Sequence, residues 1–306
     1  MRESNVNHEV VHMPHGRLLD PLGLARLRRL SSLAALSWTL MPGFCLSANG
    51  QTVSGPTPAP ASEVTGVSLP DAPLPQPAEI AKAEDKDAVT LRNTPMHVVQ
   101  DQGAIWTSPL RLRPHDLEWL VPLTLATGAA IGTDHRALSS VVSHDATFNH
   151  ANVDASNVLT GGLIGVPVVL YGMGHFHADA HAQEAGILSG EAILDGLVVE
   201  QGMKLVFWRE RPSRDNARGR FFQTGVGVDS SFPSSHSMLA WSSAAVIAEE
   251  YPSRWVQIGV YSMAAGVGVT RVLGQEHFPS DVLVGSAAGW LVGHYVYRKH
   301  HRIRVR

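Results

Sequence analysis

The sequence holds one cysteine in 306 residues. That excludes a disulfide framework and any cysteine-rich zinc site. Charge is scarce as well. Asp, Glu, Lys and Arg make up 17 % of the chain, against about 25 % in ordinary soluble domains. The formal net charge is −3, so there is no global basic field and no nucleic-acid partner is expected. Strand signals are also missing, because the apolar runs are built from glycine, alanine and leucine and lack β-branched alternation. Apolar residues still reach 44 %, which excludes a disordered chain and points to a buried or membrane-adjacent helical core.

The amino-terminal segment reads as an export signal. Arg17, Arg26, Arg28 and Arg29 precede an apolar run from Leu30 to Leu46, and Ala48 and Gly50 follow. The run is shorter than the ~20 residues of a membrane span, and Pro42 and Gly43 interrupt it. Residues 1–50 are therefore expected to be a signal peptide or N-terminal anchor that directs the protein to the periplasm or cell envelope. Pro56, Pro58, Pro60, Pro70, Pro73, Pro75 and Pro77 then mark a Pro/Ala-rich linker over residues 51–94. Such a segment buries too little apolar surface to offset its ordering entropy. Residues 95–300 are expected to form one domain without internal repeats.

That domain reads as all-α, a bundle of roughly six helices. The apolar runs are Leu117 to Ile131, Val158 to Tyr171, Ile187 to Trp208, Met238 to Ala248, Val256 to Val272 and Val282 to Tyr297. A shorter amphipathic piece is expected near Ile105 and Trp106. Most of the runs fall short of a membrane span. Glu191 and Asp195 share one helical face and Glu200 lies about half a turn away. Acids on two sides are costly in lipid unless a bundle interior holds them. They weigh toward a water-soluble bundle, with membrane association as the other reading; the last two runs are apolar and glycine-rich enough to span.

Three blocks carry the chemistry. The first runs from Lys204 to Arg211 and Pro212. Lys204 and Arg211 are seven apart, about two helical turns, so both are expected on one helix face. Arginine offers a planar fork to two oxygens and lysine a point charge. The second is Pro233-Ser234-Ser235-His236 at a helix start, where free N–H groups and the helix dipole attract anions. His236 is placed there to protonate a leaving oxygen. The third contains Thr270, Arg271, His277 and Asp281. An aspartate one turn beyond a histidine can hold one ring N–H and free the other nitrogen for attack. Taken singly, these blocks equally describe a solvated helix end, a plain cap and a dipole complement. Together they suit one tetrahedral oxyanion such as phosphate.

In order and spacing the blocks match K-x6-R-P, P-S-x-H and [S/T]-R-x5-H-x3-D. The sequence thus resembles the type 2 phosphatidic acid phosphatase (PAP2) superfamily, which includes class A acid phosphatases, lipid phosphate phosphatases and vanadium haloperoxidases. The resemblance implies that Lys204, Arg211 and Arg271 bind phosphate oxygens, with Ser234 and the Ser235 N–H completing the cradle. His277 would form a phosphohistidine, Asp281 would orient it, and His236 would protonate the leaving alkoxide and later activate water. No cofactor and no metal are implied. The partner implied is a phosphate-ester substrate, either a lipid such as phosphatidate or a soluble ester. Two readings stay beside it: a vanadate-dependent haloperoxidase and a non-catalytic anion-binding envelope protein. Ser235 stands where the family usually has glycine, and Thr270 replaces the commoner serine.

Three further features are expected to be minor. His175, His177, Asp179 and His181 read as a polar helix end more than as a metal site. Arg214, Arg218, Arg220, Phe221 and Phe222 form a loop that either covers substrate or is solvated. Arg298, Lys299, His300, His301, Arg302, Arg304 and Arg306 read as a solvated basic tail.

Overall fold

The structure is a computed structural model that describes residues 89–302. The expected leader and most of the linker lie outside the described residues. Seven α-helices follow in order: α1 Thr94–Thr107, α2 Leu117–Arg136, α3 Ala146–His177, α4 Ala180–Phe207, α5 Ser235–Glu250, α6 Arg254–Leu273 and α7 Pro279–His300. No strand occurs among the described residues. Each apolar run lies within a helix, α4 excepted, which stops one residue before Trp208. α1 extends the short piece expected near Trp106. The helices outrun the apolar runs because polar residues continue the turns at their ends.

Local chemistry sets those ends. Asp145 caps α3 by accepting from the Phe148 N–H at 2.8 Å, and Asp179 caps α4 by accepting from the Ala182 N–H at 3.1 Å. Pro279 opens α7, where no intrahelical N–H is required. Ala178 and Trp208 end α3 and α4 in the left-handed conformation.

α5 is the central helix. One core joins it to α4 and α7 through Leu188, Ala192, Val199, Met238, Val246, Val292 and Val296. Another joins it to α3 and α6 through Leu163, Ala240, Ala244, Ala264 and Val267. The glycines of α7 permit the closest approach. A Cβ on Gly285, Gly289 or Gly293 would stand 2.7, 2.3 or 2.4 Å from the backbone carbonyl oxygens of Ser234, Met238 and Ser242. The four-residue step matches on both helices, so backbone lies against backbone for two turns.

The acids that weighed toward a water-soluble bundle all point inward. Glu191, Asp195 and Glu200 are buried. The outer faces are apolar instead: Val158, Val168 and Phe176 on α3 and Trp255 and Ile258 on α6 are exposed. α3 and α6 are long and apolar enough to cross a membrane by length and composition. The basic tail is partly tied into the bundle, while Arg298 and Arg302 are exposed as expected and Arg304 and Arg306 lie outside the described residues. Lys299 binds Asp101, His300 is buried, and His301 Nδ1 lies 3.1 Å from Glu250. His175 and His177 occupy the last turn of α3, Asp179 is a cap, and His181 bonds Glu250 at 3.0 Å.

The packing yields a paired test. Gly289→Ala is expected to destabilise by roughly 1–3 kcal/mol, because backbone must move. Gly103→Ala, with nothing within 4 Å of its added Cβ, is expected to stabilise by up to about 1 kcal/mol through helix propensity. Thermal unfolding of both variants checks the opposite signs.

Candidate active site

Four helix ends meet at one pole of the bundle: the ends of α4 and α6 and the starts of α5 and α7. The chain reverses there twice, through residues 208–234 and 274–278. The first turn of α7 docks on the start of α5, where the Ser234 N–H donates to the Asp281 carbonyl at 3.1 Å.

The first block does not lie on one helix. α4 stops at Phe207, and Trp208 turns left-handed with φ 39°. Lys204 stays in the last helical turn while Arg211 sits in the following loop, so the shared helix face is corrected. Both still reach the same region. Lys204 is buried, 2.7 Å from Glu200 Oε1, and donates to Ser235 Oγ at 2.9 Å. The Ser235 hydroxyl donates in turn to Glu200. Ser235 thus fastens the lysine ammonium. Ser234 Oγ is turned inward as the cap of α5, accepting from the Ser237 N–H at 3.4 Å.

Arg211 and Arg271 converge on one carboxylate. Glu276 Oε2 lies 3.3 Å from Arg211 Nη1 and 3.2 Å from Arg271 Nη2. Arg211 also bonds Asp229 Oδ1 at 2.9 Å, and Arg271 bonds Ser156 Oγ at 3.3 Å. Arg271 Nε is a buried donor with no hydrogen-bond partner. A buried orphan donor carries the desolvation penalty of that group, about 1–3 kcal/mol, which an arriving anion would relieve. Glu276 is therefore an internal anion bridging two guanidinium groups.

His277 is almost wholly buried. Its Nδ1 lies 2.8 Å from the Ser231 carbonyl and 3.5 Å from Asp281 Oδ2. A carbonyl only accepts, so Nδ1 carries the proton and Nε2 keeps its lone pair. The orienting bond expected from Asp281 is thus made chiefly by Ser231. Asp281 acts from behind it: its carboxylate accepts from the Ser231 hydroxyl, from the Phe278 N–H at 2.9 Å and from Arg209 Nη1 at 2.5 Å. Burial pushes the His277 imidazole below its ordinary pKa and the positive charges of Arg211 and Arg271 add to this, against the opposing pull of Asp281. His236, the second residue of α5, bonds Asn157 Oδ1 at 3.2 Å. Burial first, then the positive fields of Arg271, His277, Lys204 and Arg211, push it down to about 4. One field thus acts on both histidines.

Sequence reasoning missed Arg209, Asp134, Ser231, Glu200 and Glu276. Arg209 is 1 % exposed. It pairs with Asp134 at 2.7 Å as well as Asp281, donates to the Gly219 carbonyl at 3.1 Å, and lies between the rings of Phe221 and Phe278. The one available signal was its place inside the first block. The arginine-rich loop is stapled internally, with Arg220 on Asp215 at 2.7 Å and Arg214 on Asp229 at 3.4 Å.

Comparison with known proteins bears on the same stretch. Residues 185–304 match the family model of the PAP2 superfamily. This stretch, less than half of the chain, is similar to that superfamily. It contains every residue of the three blocks. An 81-residue stretch is 37 % identical to the lipid A 1-phosphatase of Porphyromonas gingivalis, covering 26 % of this chain and 18 % of that protein. The chain thus matches less than a fifth of that relative's length. A solved structure, described as the first transmembrane PAP2-type phosphatidylglycerolphosphate phosphatase from Bacillus subtilis, aligns with TM-score 0.42 and 22 % identity over 61 % of this chain and 96 % of that one.

Glu276 generates a directional expectation for this site. Glu276→Gln removes the internal negative charge from Arg211 and Arg271, so inorganic phosphate is expected to bind several-fold tighter. Competitive inhibition or calorimetry measures it, and weaker binding contradicts the bridge.

Proposed function

We propose that this protein is a phosphatase that hydrolyses the phosphate monoester of a membrane amphiphile through a phosphohistidine on His277. The observation that carries the reading is the His277 tautomer: Nδ1–H is committed to the Ser231 carbonyl, and Nε2 keeps its lone pair in the field of Arg211 and Arg271. In the first step Nε2 attacks phosphorus, the ester P–O bond breaks, and His236 delivers a proton to the leaving alkoxide. In the second, His236 takes a proton from water, the hydroxide attacks phosphorus, and the P–N bond breaks to release inorganic phosphate. Lys204, Arg211 and Arg271 stabilise the charge on the non-bridging oxygens, fixed in place before reaction.

Two features support an amphiphilic substrate. An apolar cleft of about 410 Å³ lies between α2 and α7, lined among others by Trp119, Leu123, Ile131, Val284 and Leu291. It begins one turn from Asp134 and Asp281 and runs away from the polar site, as an acyl chain would. The exposed apolar faces of α3 and α6 suit contact with lipid. On this reading residues 1–50 carry the domain to the envelope and the linker tethers it. The curated relative is named for action on lipid A, a phosphorylated amphiphile that fits the same division into polar head and apolar tail.

The test compares phosphate release by wild type and His277→Ala from detergent-dispersed phosphatidate and from a soluble aryl phosphate. Wild type is expected to prefer the lipid, and the variant to lose at least about 10³-fold, as when a nucleophile is removed. Turnover that survives in the variant contradicts the reading. So does phosphate binding without turnover, or halide oxidation with added vanadate and peroxide.

The His236 shift adds a pH expectation. With its pKa near 4 the free enzyme holds His236 neutral above that pH. Bound phosphate brings negative charge and favours the imidazolium. The descending limb owed to His236 is therefore expected at lower pH in kcat/KM, which reports free enzyme, than in kcat. Coincident limbs contradict the assignment of His236 as the acid.

A further inference from the structure

A second polar cluster lies deep in the bundle, far from the proposed active site. His97 and Asp101 come from α1, Glu191 and Asp195 from α4, and Lys299 and His300 from the end of α7. Glu191 precedes Lys204 by 13 positions on the same helix, or about 20 Å at ~1.5 Å per residue. The proposed mechanism uses none of these groups. His97, Asp101, Glu191, Asp195 and His300 are all buried, the three carboxylates completely.

The hydrogen bonding there does not close. His300 Nε2 bonds Asp101 Oδ2 at 2.9 Å, and Glu191 Oε1 lies 3.2 Å from the same nitrogen without a hydrogen bond to it. His97 Nδ1 faces Glu191 Oε2 at 3.3 Å. Gln102 donates to Asp195 Oδ1 at 2.7 Å, but Asp195 Oδ2 and Glu191 Oε1 have no hydrogen-bond partner. Lys299 and the Tyr295 hydroxyl reach Asp101 alone. Three buried carboxylates therefore face one lysine and two imidazoles. The two rings are stacked, with centroids 4.4 Å apart, and each has a ring nitrogen within 3.3 Å of a Glu191 carboxylate oxygen.

These are the features of a metal site. One donor atom from each of His97, Glu191 and His300 lies within 4.8 Å of the others, and the same holds for Asp101, Glu191 and Asp195. Glu191 belongs to both sets. A mixed nitrogen and oxygen donor set suits Zn²⁺ or another divalent first-row ion. An ion there would replace the protons shared between imidazole and carboxylate, balance the surplus negative charge and satisfy the orphaned oxygens. The nearby group of Glu184, Glu250 and His301 is different, since His181, His301 and the Arg302 N–H already hydrogen-bond its carboxylates.

We propose that His97, Glu191 and His300, completed by the carboxylate of Asp101 or Asp195, bind one divalent transition-metal ion that clamps α1 to α4 and α7. The ion is structural and takes no part in ester hydrolysis. It is independent of the phosphatase reading.

The test uses the full chain purified from zinc-supplemented medium. Wild type is expected to hold about one zinc per chain by elemental analysis after exchange into metal-free buffer. Chelation is expected to lower its Tm by several degrees, and added ZnCl₂ to restore it. His97→Gln and Glu191→Gln are expected to lose the zinc and the response to chelator together. Wild type without metal, and with a Tm indifferent to both zinc and chelator, overturns the proposal. So does zinc retained at full stoichiometry in both variants, which would place it elsewhere. If Glu191→Gln fails to fold, wild type and the half-site variant His97→Gln still decide.

Discussion

The structure depends most on one buried guanidinium. Arg209 is surrounded by protein on every side, and an unpaired charge there would cost far more than the fold can supply. It is tolerated because its donors meet Asp134, Asp281, Ser280 and the Gly219 carbonyl, while two phenyl rings cover its faces. Removing one partner of such a pair typically costs about 3–5 kcal/mol. The contacts join α2, the 208–234 loop and the first turn of α7. Gly219 is part of the arrangement: at φ +59° a side chain would stand 2.6 Å from the Phe278 ring.

The order imposed by Arg209 passes outward in short steps. Asp281 is fixed by Arg209 and accepts the Ser231 hydroxyl. The Ser231 carbonyl then accepts the His277 proton and selects its tautomer. The Ser231 N–H donates to the Arg209 carbonyl at 2.8 Å, closing the loop of contacts. Asp281 thus governs His277 through a serine more than by direct contact. The cation side is built by a separate set of carboxylates. Glu200 and Ser235 hold Lys204, and Glu276 bridges the two arginines. Glu200 and Lys204 belong to one helix and pair with each other, whereas Glu276 pairs with Arg211 and Arg271 from other segments.

Much of the helical order was legible in the sequence, because apolar runs punctuated by proline, serine and aspartate specify bundle helices and their caps. The three blocks were legible as well, since Pro233, Ser234 and Pro279 fix helix starts locally. What was not legible depends on tertiary contact. The end of α4 at Phe207 has no adjacent proline or glycine to announce it; Trp208 turns left-handed there, directly before the buried Arg209. Asp134 closes an ordinary apolar run and gains meaning from Arg209, 75 positions away. The basic tail read as solvated because its partners, Asp101 and Glu250, come from other helices. The acids of α4 read as a liability in lipid and proved to be interior groups, leaving apolar residues on the outer faces of α3 and α6.

The account turns on His277 as a nucleophile held ready by this lattice. The most direct measurement is rapid acid-free quenching of wild type with a ³²P-labelled phosphate ester, followed by mapping of the label. A label that is stable to base, labile to acid and located on His277 is predicted, absent from His277→Ala and, with an aryl ester whose leaving group needs no proton, long-lived in His236→Ala, where water is not activated. Full turnover by wild type with no label on His277 at any quench time would contradict the account.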